Sequence, residues 1–303
     1  MHSAQAGSGR GHLNLWEQIA LHIGEASGTP FQPKAPASMG GGCINTAVRL
    51  SDGGQQWFVK LNQASRLDMF EAEAEGLKEL ADAQAIRVPR PLCTGQADGQ
   101  SYIAMEYISL GGSGSNAVAG EQLAELHRHQ AEAFGWKRDN TIGSTHQPNG
   151  WSADWVDFWR WHRLGFQLEE AARKGLGSNI QRLGERLLDS FSVLMDHDPV
   201  PSLLHGDLWG GNLGYDDQGN PVIYDPATYY GDREAEIAMT ELFGGFGGAF
   251  YDAYNSTWPL DPGYATRKTF YNLYHILNHA NMFGGGYVGQ AQRMMEGLLG
   301  ELG

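Results

Sequence analysis

The sequence predicts an α+β chain of two lobes, a smaller N-terminal lobe rich in strands and a larger C-terminal lobe rich in helices. In the first part of the chain, apolar segments lie between turn-forming glycines, which is typical of strands. In the second part, apolar residues recur three and four positions apart, which is typical of helices. The glycine-rich segment at residues 111–114 separates the two patterns. We therefore predict lobes at residues 13–109 and 110–303, after a disordered leader at residues 1–12.

The N-terminal lobe is predicted to contain a hairpin and a buried strand. The turn Asp52-Gly53-Gly54 lies between two apolar segments and has the residue types that tight turns need. A run rich in Ala, Glu and Leu favours a helix, which the prolines Pro89 and Pro91 terminate. In chain order, the predicted elements are a helix at residues 13–26, strands at 47–50 and 56–61, a helix at 69–81 and a strand at 102–108.

The C-terminal lobe is predicted to be mainly helical, without an internal repeat. Its predicted helices cover residues 121–129, 155–174, 180–195, 233–243 and 265–282, and two short strands lie at 203–204 and 221–224. Strands followed by helices in this order predict two lobes with a cleft between them, where a ligand would bind.

Charge and cysteine content disfavour several classes of protein. The 303 residues include 21 basic and 35 acidic side chains, a formal net charge of -14, so we expect neither nucleic acid nor a membrane surface as a partner. The sequence has no apolar run of membrane-spanning length. The two cysteines, Cys43 and Cys93, are too few for a disulfide framework, so we expect a reduced, cytoplasmic setting.

The strongest motif is His205-Gly206-Asp207-Leu208-Trp209-Gly210-Gly211-Asn212, followed by Val222-Ile223-Tyr224-Asp225-Pro226. A kinase catalytic loop and metal-binding strand have the same order of residues: an aspartate, an asparagine five positions later, and then a strand that ends in aspartate. Phosphoryl transfer needs a carboxylate that orients the acceptor hydroxyl and takes its proton, and oxygen ligands that hold Mg²⁺. We assign the first role to Asp207 and the second to Asn212 and Asp225.

Residues that contact ATP are expected upstream of this motif. Lys60 closes the apolar strand at residues 57–61, as a phosphate-contacting lysine does in kinases. Glu73, in the next predicted helix, is our candidate partner for Lys60. Glu71 and Glu75 are the alternatives if the helical register differs.

Two further segments are predicted to contact the nucleotide. The glycine run that includes Gly41 and Gly42 would let backbone N–H groups approach phosphate, although it matches neither the protein-kinase glycine pattern nor a Walker A sequence. Met105, Glu106 and Ile108 lie at the end of the last N-terminal strand, where backbone groups would meet the adenine edge. A flexible loop and an ordinary strand end are the alternative interpretations.

Five segments share their pattern with one known family. They are Gly41-Gly42-Cys43-Ile44-Asn45, the motif at residues 205–212 with Trp209 inside it, Asp225-Pro226-Ala227-Thr228-Tyr229-Tyr230-Gly231-Asp232-Arg233-Glu234, Met239-Thr240-Glu241-Leu242-Phe243-Gly244-Gly245 and Tyr271-Asn272-Leu273-Tyr274-His275. Through these segments, nearly the whole chain from about residue 13 resembles the fructosamine kinases.

The resemblance implies a protein-kinase-like fold, related to the aminoglycoside phosphotransferases and choline kinases. It implies that Mg-ATP phosphorylates the 3-hydroxyl of a ketosamine, a free amine or protein lysine that carries fructose or ribulose. Phosphorylation makes that adduct labile, so the implied role is deglycation repair. Asp225 precedes a proline rather than Phe-Gly, which suggests that there is no long activation loop. The preferred ketosamine, the use of protein-bound adducts and the choice between monomer and homodimer stay open.

The remaining candidates are less specific. Trp209 would pack its indole face on a sugar ring, with core packing as the alternative. His275 is predicted to line the acceptor pocket. Asp232 and Glu236 are predicted to cap a helix or brace the catalytic loop. Cys43 is a hypothetical site of redox control, with an inert small residue as the alternative.

Two other functions remain open at this stage. A related kinase would act on an aminoglycoside, choline or another sugar, and the acceptor pocket decides that choice. A nucleotide-binding pseudokinase that serves as a partner module is the alternative from a different class. The presence together of Lys60, Asp207, Asn212 and Asp225 favours an enzyme.

Overall fold

The computed structural model describes residues 11–40, 42 and 44–303, and the chain divides into two compact units. The first unit comprises the described residues up to Phe70 together with Pro91–Tyr107, and the second comprises Glu71–Arg90 and Ile108–Gly303. Gly41 and Cys43 lie outside the described residues, so the roles predicted for them stay predictions. Among the described residues, no helix combines the length and apolar character that crossing a membrane requires.

The first unit is a five-stranded antiparallel sheet with one helix packed on it. Its elements are α1 (Leu15–Ser27), β1 (Ala37–Met39), β2 (Thr46–Ser51), β3 (Gln56–Gln63), β4 (Pro91–Ala97) and β5 (Gln100–Glu106). The strand order is β1-β2-β3-β5-β4. A capping box formed by Asn14 and Glu17 begins α1. Ile19 and Ile23 then pack against Val48 and other buried sheet residues, so the predicted first helix and hairpin are confirmed.

Strand β4 is absent from the sequence prediction, because Pro91 and Gly95 disfavour a strand. In the structure, β4 lies at the edge of the sheet, where a proline without an N–H group is tolerated. Gly95 is required by its neighbour, since a Cβ atom there would lie 2.6 Å from the Tyr102 hydroxyl. Tyr102 in turn hydrogen-bonds Nδ1 of His22 on α1 at 2.6 Å.

The second unit is mainly helical. Its elements are most of α2 (Leu67–Asp82), then α3 (Asn116–His127), β6 (Asn140–Ile142), β7 (Thr145–Gln147), α4 (Trp155–Trp159), α5 (Gly165–Arg173), α6 (Ser178–Ser190), β8 (Ser202–Leu204), β9 (Leu213–Tyr215), β10 (Pro221–Ile223), β11 (Tyr229–Gly231), α7 (Arg233–Leu242), α8 (Gly248–Thr257), α9 (Tyr264–Phe283) and α10 (Gly286–Glu301). Three antiparallel pairs, β6 with β7, β8 with β11 and β9 with β10, form small two-stranded sheets among the helices.

The helix predicted at residues 155–174 is interrupted in the structure, so the prediction of one continuous helix is wrong. A π-helical turn at Arg160–Leu164 separates α4 from α5. Arg163 in this turn is fully buried, and its guanidinium lies 4.1 Å from the centre of the Tyr229 ring. Gly165 is also required, because a Cβ atom there would lie 2.2 Å from the Arg160 carbonyl oxygen. The extra residue in the turn thus accommodates a buried cation among aromatic rings.

Helices α8 and α10 are absent from the sequence prediction. Helix α10 contains Gly286, Gly289, Gly297 and Gly300, which lower its intrinsic preference for helix. It forms because tertiary packing outweighs that preference: its buried residues Ala291, Met295 and Leu298 join the core of the second unit.

Helices α3 and α8 pack closely through a glycine. A Cβ atom on Gly120 of α3 would lie 2.2 Å from the Phe250 carbonyl oxygen on α8. We therefore expect Gly120→Ala to lower the free energy of unfolding by about 1–3 kcal/mol, because the two helices would have to separate.

The matched control is Gly297→Ala on the exposed side of α10, where a Cβ atom meets nothing within 4 Å. It should leave stability unchanged or raise it by up to about 1 kcal/mol, since alanine favours helix. Urea unfolding followed by circular dichroism measures both variants. Equal stability of the two variants would contradict the close approach of α3 and α8.

Candidate active site

The predicted catalytic loop connects β8 to β9 in the second unit. It begins at His205 after β8 and ends in a short 3₁₀ turn at Gly210–Asn212. Gly206 has a φ of +91°, and a Cβ atom there would lie 1.9 Å from the Ala227 carbonyl oxygen. A side chain at this position would therefore push the loop away from residues 224–227.

His205 ties the loop to the segment that carries Asp225. Its Nδ1 atom accepts the backbone N–H of Asp207 at 3.1 Å, and its Nε2 atom lies 2.6 Å from the Tyr224 carbonyl oxygen. Since a carbonyl oxygen only accepts, the proton is on Nε2 and donates to Tyr224. The backbone N–H of Ala227 donates to the His205 carbonyl oxygen at 2.8 Å. These bonds fix the backbone on both sides of Asp225.

Glu236, on α7, holds the loop from behind. Its buried carboxylate accepts the backbone N–H of His205 at 3.1 Å and that of Gly206 at 2.7 Å. It also accepts Nε2 of the buried His127, on α3, at 2.6 Å. Burial alone raises the pKa of Glu236, but the hydrogen bond and charge of His127 and the loop N–H groups outweigh burial and lower the pKa. The predicted bracing role of Glu236 is confirmed.

The contacts of Glu236 continue into a second layer. Nδ1 of His127 lies 2.7 Å from the Tyr254 hydroxyl on α8, and Arg233 also donates to that hydroxyl at 3.2 Å. Arg233 stacks over the Trp258 ring, 3.7 Å from its centre. Neither His127 nor Tyr254 is part of a sequence motif: His127 belongs to an ordinary helical pattern, and Tyr254 lies on α8, which the sequence does not predict.

The three residues of the predicted reaction site lie along this braced backbone. The half-buried Asp207 has a pKa well above its ordinary value, chiefly because of burial and further because of the charges of Asp225 and Glu236. The Asn212 side chain donates through Nδ2 to the Asp207 carbonyl oxygen at 2.8 Å, so Oδ1 is the atom that a cation would ligate. The exposed Asp225 follows β10 with a φ of +55°, an uncommon conformation for a residue other than glycine.

The other predicted residues of the second unit lie at four different places in the chain. Trp209 is 41% exposed, and its ring meets the Phe243 ring edge to face at 6.1 Å. His275 is buried in α9, where burial above all, and then the charges of His279 and Arg163, lower its pKa to about 3. Glu73 lies on α2, and Ile108 follows the boundary between the units.

Lys60, Gly42, Met105 and Glu106 lie in the first unit. Lys60 is on β3, paired with Ile103 of β5, and only 6% of its surface is exposed. Met105 and Glu106 are the last two residues of β5. Gly42 has a φ of +85° and open space where a Cβ atom would be.

A buried ionic cluster fixes the start of α7. Asp232 caps the helix by accepting the N–H of Glu234, so its predicted capping role is confirmed. Asp232 also accepts Nε2 of His197 at 2.6 Å and the hydroxyl of Tyr271. Glu234 forms two hydrogen bonds to Arg267, at 2.6 and 2.9 Å. Because Glu236 lies one turn further along α7, this cluster also sets the position of the carboxylate that holds the loop.

Comparison with known proteins identifies the class of this fold. An aminoglycoside phosphotransferase structure superimposes with a TM-score of 0.62 at 16% sequence identity, covering 93% of this chain and 98% of that chain. The structure of the "Putative fructosamine-3-kinase" from Haemophilus somnus 129PT superimposes with a TM-score of 0.85 at 33% identity, covering 94% of this chain and 97% of that chain. The chain therefore has the kinase-like fold of small-molecule phosphotransferases.

Sequence comparison identifies the family within that class. The fructosamine kinase family model matches residues 15–301. The chain is 50% identical over 287 residues to the "Probable ketoamine kinase" of Synechocystis sp., covering 94% of this chain and 97% of that protein. It is 45% identical over 268 residues to the chloroplastic protein-ribulosamine 3-kinase of Oryza sativa subsp. japonica, covering 87% and 78%. The chain belongs to the fructosamine kinase family and is a phosphotransferase, so the predicted family and fold are confirmed.

The Glu236 carboxylate generates a prediction about acid stability. Because the pKa of Glu236 is lowered in the folded state, its contribution is complete above the ordinary value of 4.5 and is lost as pH falls through the lowered value. We expect Glu236→Gln to cost about 1–3 kcal/mol at neutral pH and less on acidification. Urea unfolding from pH 7 downward measures this, with the exposed Glu296→Gln as the control. A deficit that stays constant below pH 4.5 would contradict the account.

His197 generates a prediction of opposite sign. Burial lowers the pKa of His197, but the hydrogen bond and charge of Asp232 and the charge of Glu234 outweigh burial, so the pKa is raised above 6.5. Its stabilising contribution is therefore complete below pH 6.5 and is lost as pH rises through the raised value.

We expect the free energy of unfolding to fall between pH 6 and about pH 8.5, and His197→Gln to remove part of that fall. Chemical unfolding at both pH values measures the effect. His146→Gln, at an exposed histidine beside Asp139, is the matched control. The same pH dependence in His197→Gln and the parent protein would show that the His197–Asp232 pair is not responsible.

Proposed function

We propose that the protein transfers the γ-phosphate of ATP to the 3-hydroxyl of a ketosamine, and that this reaction serves deglycation repair. The observation that carries the proposal is the braced loop, in which Glu236 holds the backbone on which Asp207 and Asn212 lie close to Asp225. Family membership supports ATP as the phosphate donor. The names of the relatives, a ketoamine kinase and a protein-ribulosamine 3-kinase, support the acceptor and the 3-position.

Asp207 is the proposed base of this reaction. A carboxylate with a raised pKa is a stronger base than an ordinary aspartate, so it takes the proton of an attacking hydroxyl more readily. Its main chain is fixed through His205 and Asn212, which reduces the reorganisation needed when the acceptor arrives. Asp207 would accept the proton of the acceptor hydroxyl as that oxygen attacks the γ-phosphorus and the bond to ADP breaks.

Asn212 and Asp225 are the proposed ligands of Mg²⁺. An amide oxygen and a carboxylate are hard oxygen donors, and the hydrogen bond from Asn212 Nδ2 to the Asp207 carbonyl orients that amide, so the residues fit this ion. When bound, Mg²⁺ would neutralise charge on the triphosphate and on Asp225, which favours the ionised form of Asp207. The positive φ of Asp225 is consistent with a residue held in a costly conformation for function.

The proposed contacts with the nucleotide are Lys60 and Glu73, the strand end at residues 105–108, and two glycines. A buried ammonium such as that of Lys60 is costly without a nearby anion, which suits a phosphate-contacting role. Glu73 stays the partner of Lys60 that the sequence predicts. Backbone groups of Glu106 and Ile108, next to Met105, would meet the adenine edge. The glycines Gly41 and Gly42 would let the backbone approach phosphate.

The ketosamine itself is proposed to meet Trp209. An indole that is 41% exposed two residues from the base is suited to packing on the apolar face of a sugar. His275 would contribute from α9, as a neutral imidazole because of its low pKa. The proposed substrate is thus a free ketosamine or a glycated lysine.

The proposal predicts Mg-ATP turnover with ribulosyl-lysine or fructosyl-lysine, with the phosphate on O3. Asp207→Asn should lower kcat by about 10²–10⁴-fold, the usual contribution of a general base, while ATP binding persists. Coupled ADP release measures kcat, NMR locates the phosphate and calorimetry measures ATP binding.

The matched control is Asp217→Asn, an exposed aspartate beyond the same loop, which should keep full activity. Full activity in Asp207→Asn would remove Asp207 from the mechanism. ATP binding without turnover of either ketosamine would overturn the proposed acceptor and favour an aminoglycoside, choline or another sugar.

A further inference from the structure

A row of aromatic rings leads from Trp209 across the surface of the second unit. The ring of Trp209 meets that of Phe243 at 6.1 Å, Phe243 meets His279 at 5.2 Å, and His279 meets Phe283 at 5.8 Å. Tyr287 closes the far end, 5.1 Å from His279. We call these five residues the aromatic surface. It joins the catalytic loop, the end of α7, α9 and α10.

The aromatic surface exposes more apolar area than packing requires. Trp209, Phe243 and Phe283 are 41%, 40% and 55% exposed, whereas most large apolar side chains of this unit are buried. Exposed aromatic side chains that adjoin one another are typical of binding surfaces rather than of ordinary protein surface. Since the row begins at Trp209, whatever binds along it would be continuous with the proposed acceptor site.

Glycines follow each exposed ring in the sequence. They are Gly210 and Gly211 after Trp209, Gly244 and Gly245 after Phe243, and Gly284, Gly285 and Gly286 after Phe283. The positive φ of Gly244, Gly284 and Gly285 accounts for glycine at those three positions. A Cβ atom there or on Gly286 would meet no neighbour within 4 Å, so the surface beside these rings is open to a bound backbone.

The spacing of the rings fits an extended polypeptide. An extended chain advances about 3.3 Å per residue, so side chains on one of its faces repeat every 6–7 Å. Neighbouring rings of the row lie 5.2–6.1 Å apart, the usual distance between contacting rings, so successive side chains on one face of such a segment can each lie against a ring. The row also offers one directed polar group. His279 donates through Nδ1 to the His275 carbonyl oxygen at 2.7 Å, so its Nε2 atom can accept a backbone N–H.

We propose that the aromatic surface binds an extended polypeptide segment adjoining the lysine that carries the ketosamine. This inference rests on the proposed function. Apolar side chains at alternate positions of the segment would lie on Phe243 and Phe283, while the ketosamine reaches Asp207 past Trp209. The surface would thus favour glycated peptides over the free glycated amino acid, and would select among peptides by the residues two and four positions from the lysine.

The test compares one ketosamine in three contexts. The substrates are free ribulosyl-lysine, a nine-residue peptide with central ribulosyl-lysine and leucines two and four positions away on both sides, and the same peptide with glycines there. We expect kcat/KM to be about tenfold higher for the leucine peptide than for the glycine peptide. Phe283→Ala and Phe243→Ala should remove that ratio, and Phe283→Tyr should keep it.

The control is Trp161→Ala, a 66% exposed tryptophan in the π-helical turn, which should leave all three rates unchanged. If the parent enzyme uses none of the three substrates, the proposed function fails. If it uses free ribulosyl-lysine but shows no leucine-to-glycine ratio, or if Phe283→Ala lowers all three rates equally, only the peptide surface is overturned. Sedimentation of Phe283→Ala tests a different occupant of the surface. If this variant keeps the leucine-to-glycine ratio of kcat/KM but self-associates differently from the parent enzyme, the surface binds a second copy of this chain, which also overturns the proposal.

Discussion

The proposed reaction site depends on one buried carboxylate, that of Glu236. Two consecutive backbone N–H groups of the catalytic loop and the imidazole of His127 converge on it. A buried, ionised carboxylate is costly unless several donors satisfy it, so the loop and the carboxylate stabilise each other only in this arrangement. Such mutual dependence fixes the loop backbone at His205 and Gly206, directly before the proposed base Asp207.

The same constraint explains why the surroundings of the loop are polar although they are buried. Helix α7 must begin at a fixed place for Glu236 to reach the loop, and the Asp232 cap with its partners His197 and Tyr271 provides that place. The close packing of α3 on α8, at Gly120, brings His127 and Tyr254 together. A network of this kind contributes specificity of position more than net stability, because desolvation offsets much of the attraction. Fixed positions at little gain in stability suit a site where two carboxylates, Asp207 and Asp225, must be held near each other despite their repulsion.

Sequence patterns predicted the parts of the fold whose local preferences and tertiary roles agree. The hairpin around Gly53, the helix at residues 69–81 and the order of Asp207, Asn212 and Asp225 all carry local signals of their own. Strand β4 and helix α10 went unpredicted, since edge position in one case and core packing in the other outweigh residue preference. The π-helical turn depends on Arg163 meeting rings from Tyr229 and Tyr274, contacts distant in sequence. His127 was unpredictable for the same reason, because its partner Glu236 lies on another helix.

The most direct test of the central claim is a crystal structure with a non-hydrolysable ATP analogue, Mg²⁺ and ribulosyl-lysine. We expect the sugar O3 within hydrogen-bond distance of the Asp207 carboxylate, about 2.6–3.2 Å, and Mg²⁺ on Asn212 Oδ1 and Asp225. A sugar hydroxyl other than O3 facing Asp207, or a metal ion bound by neither Asn212 nor Asp225, would contradict the proposed roles of these residues.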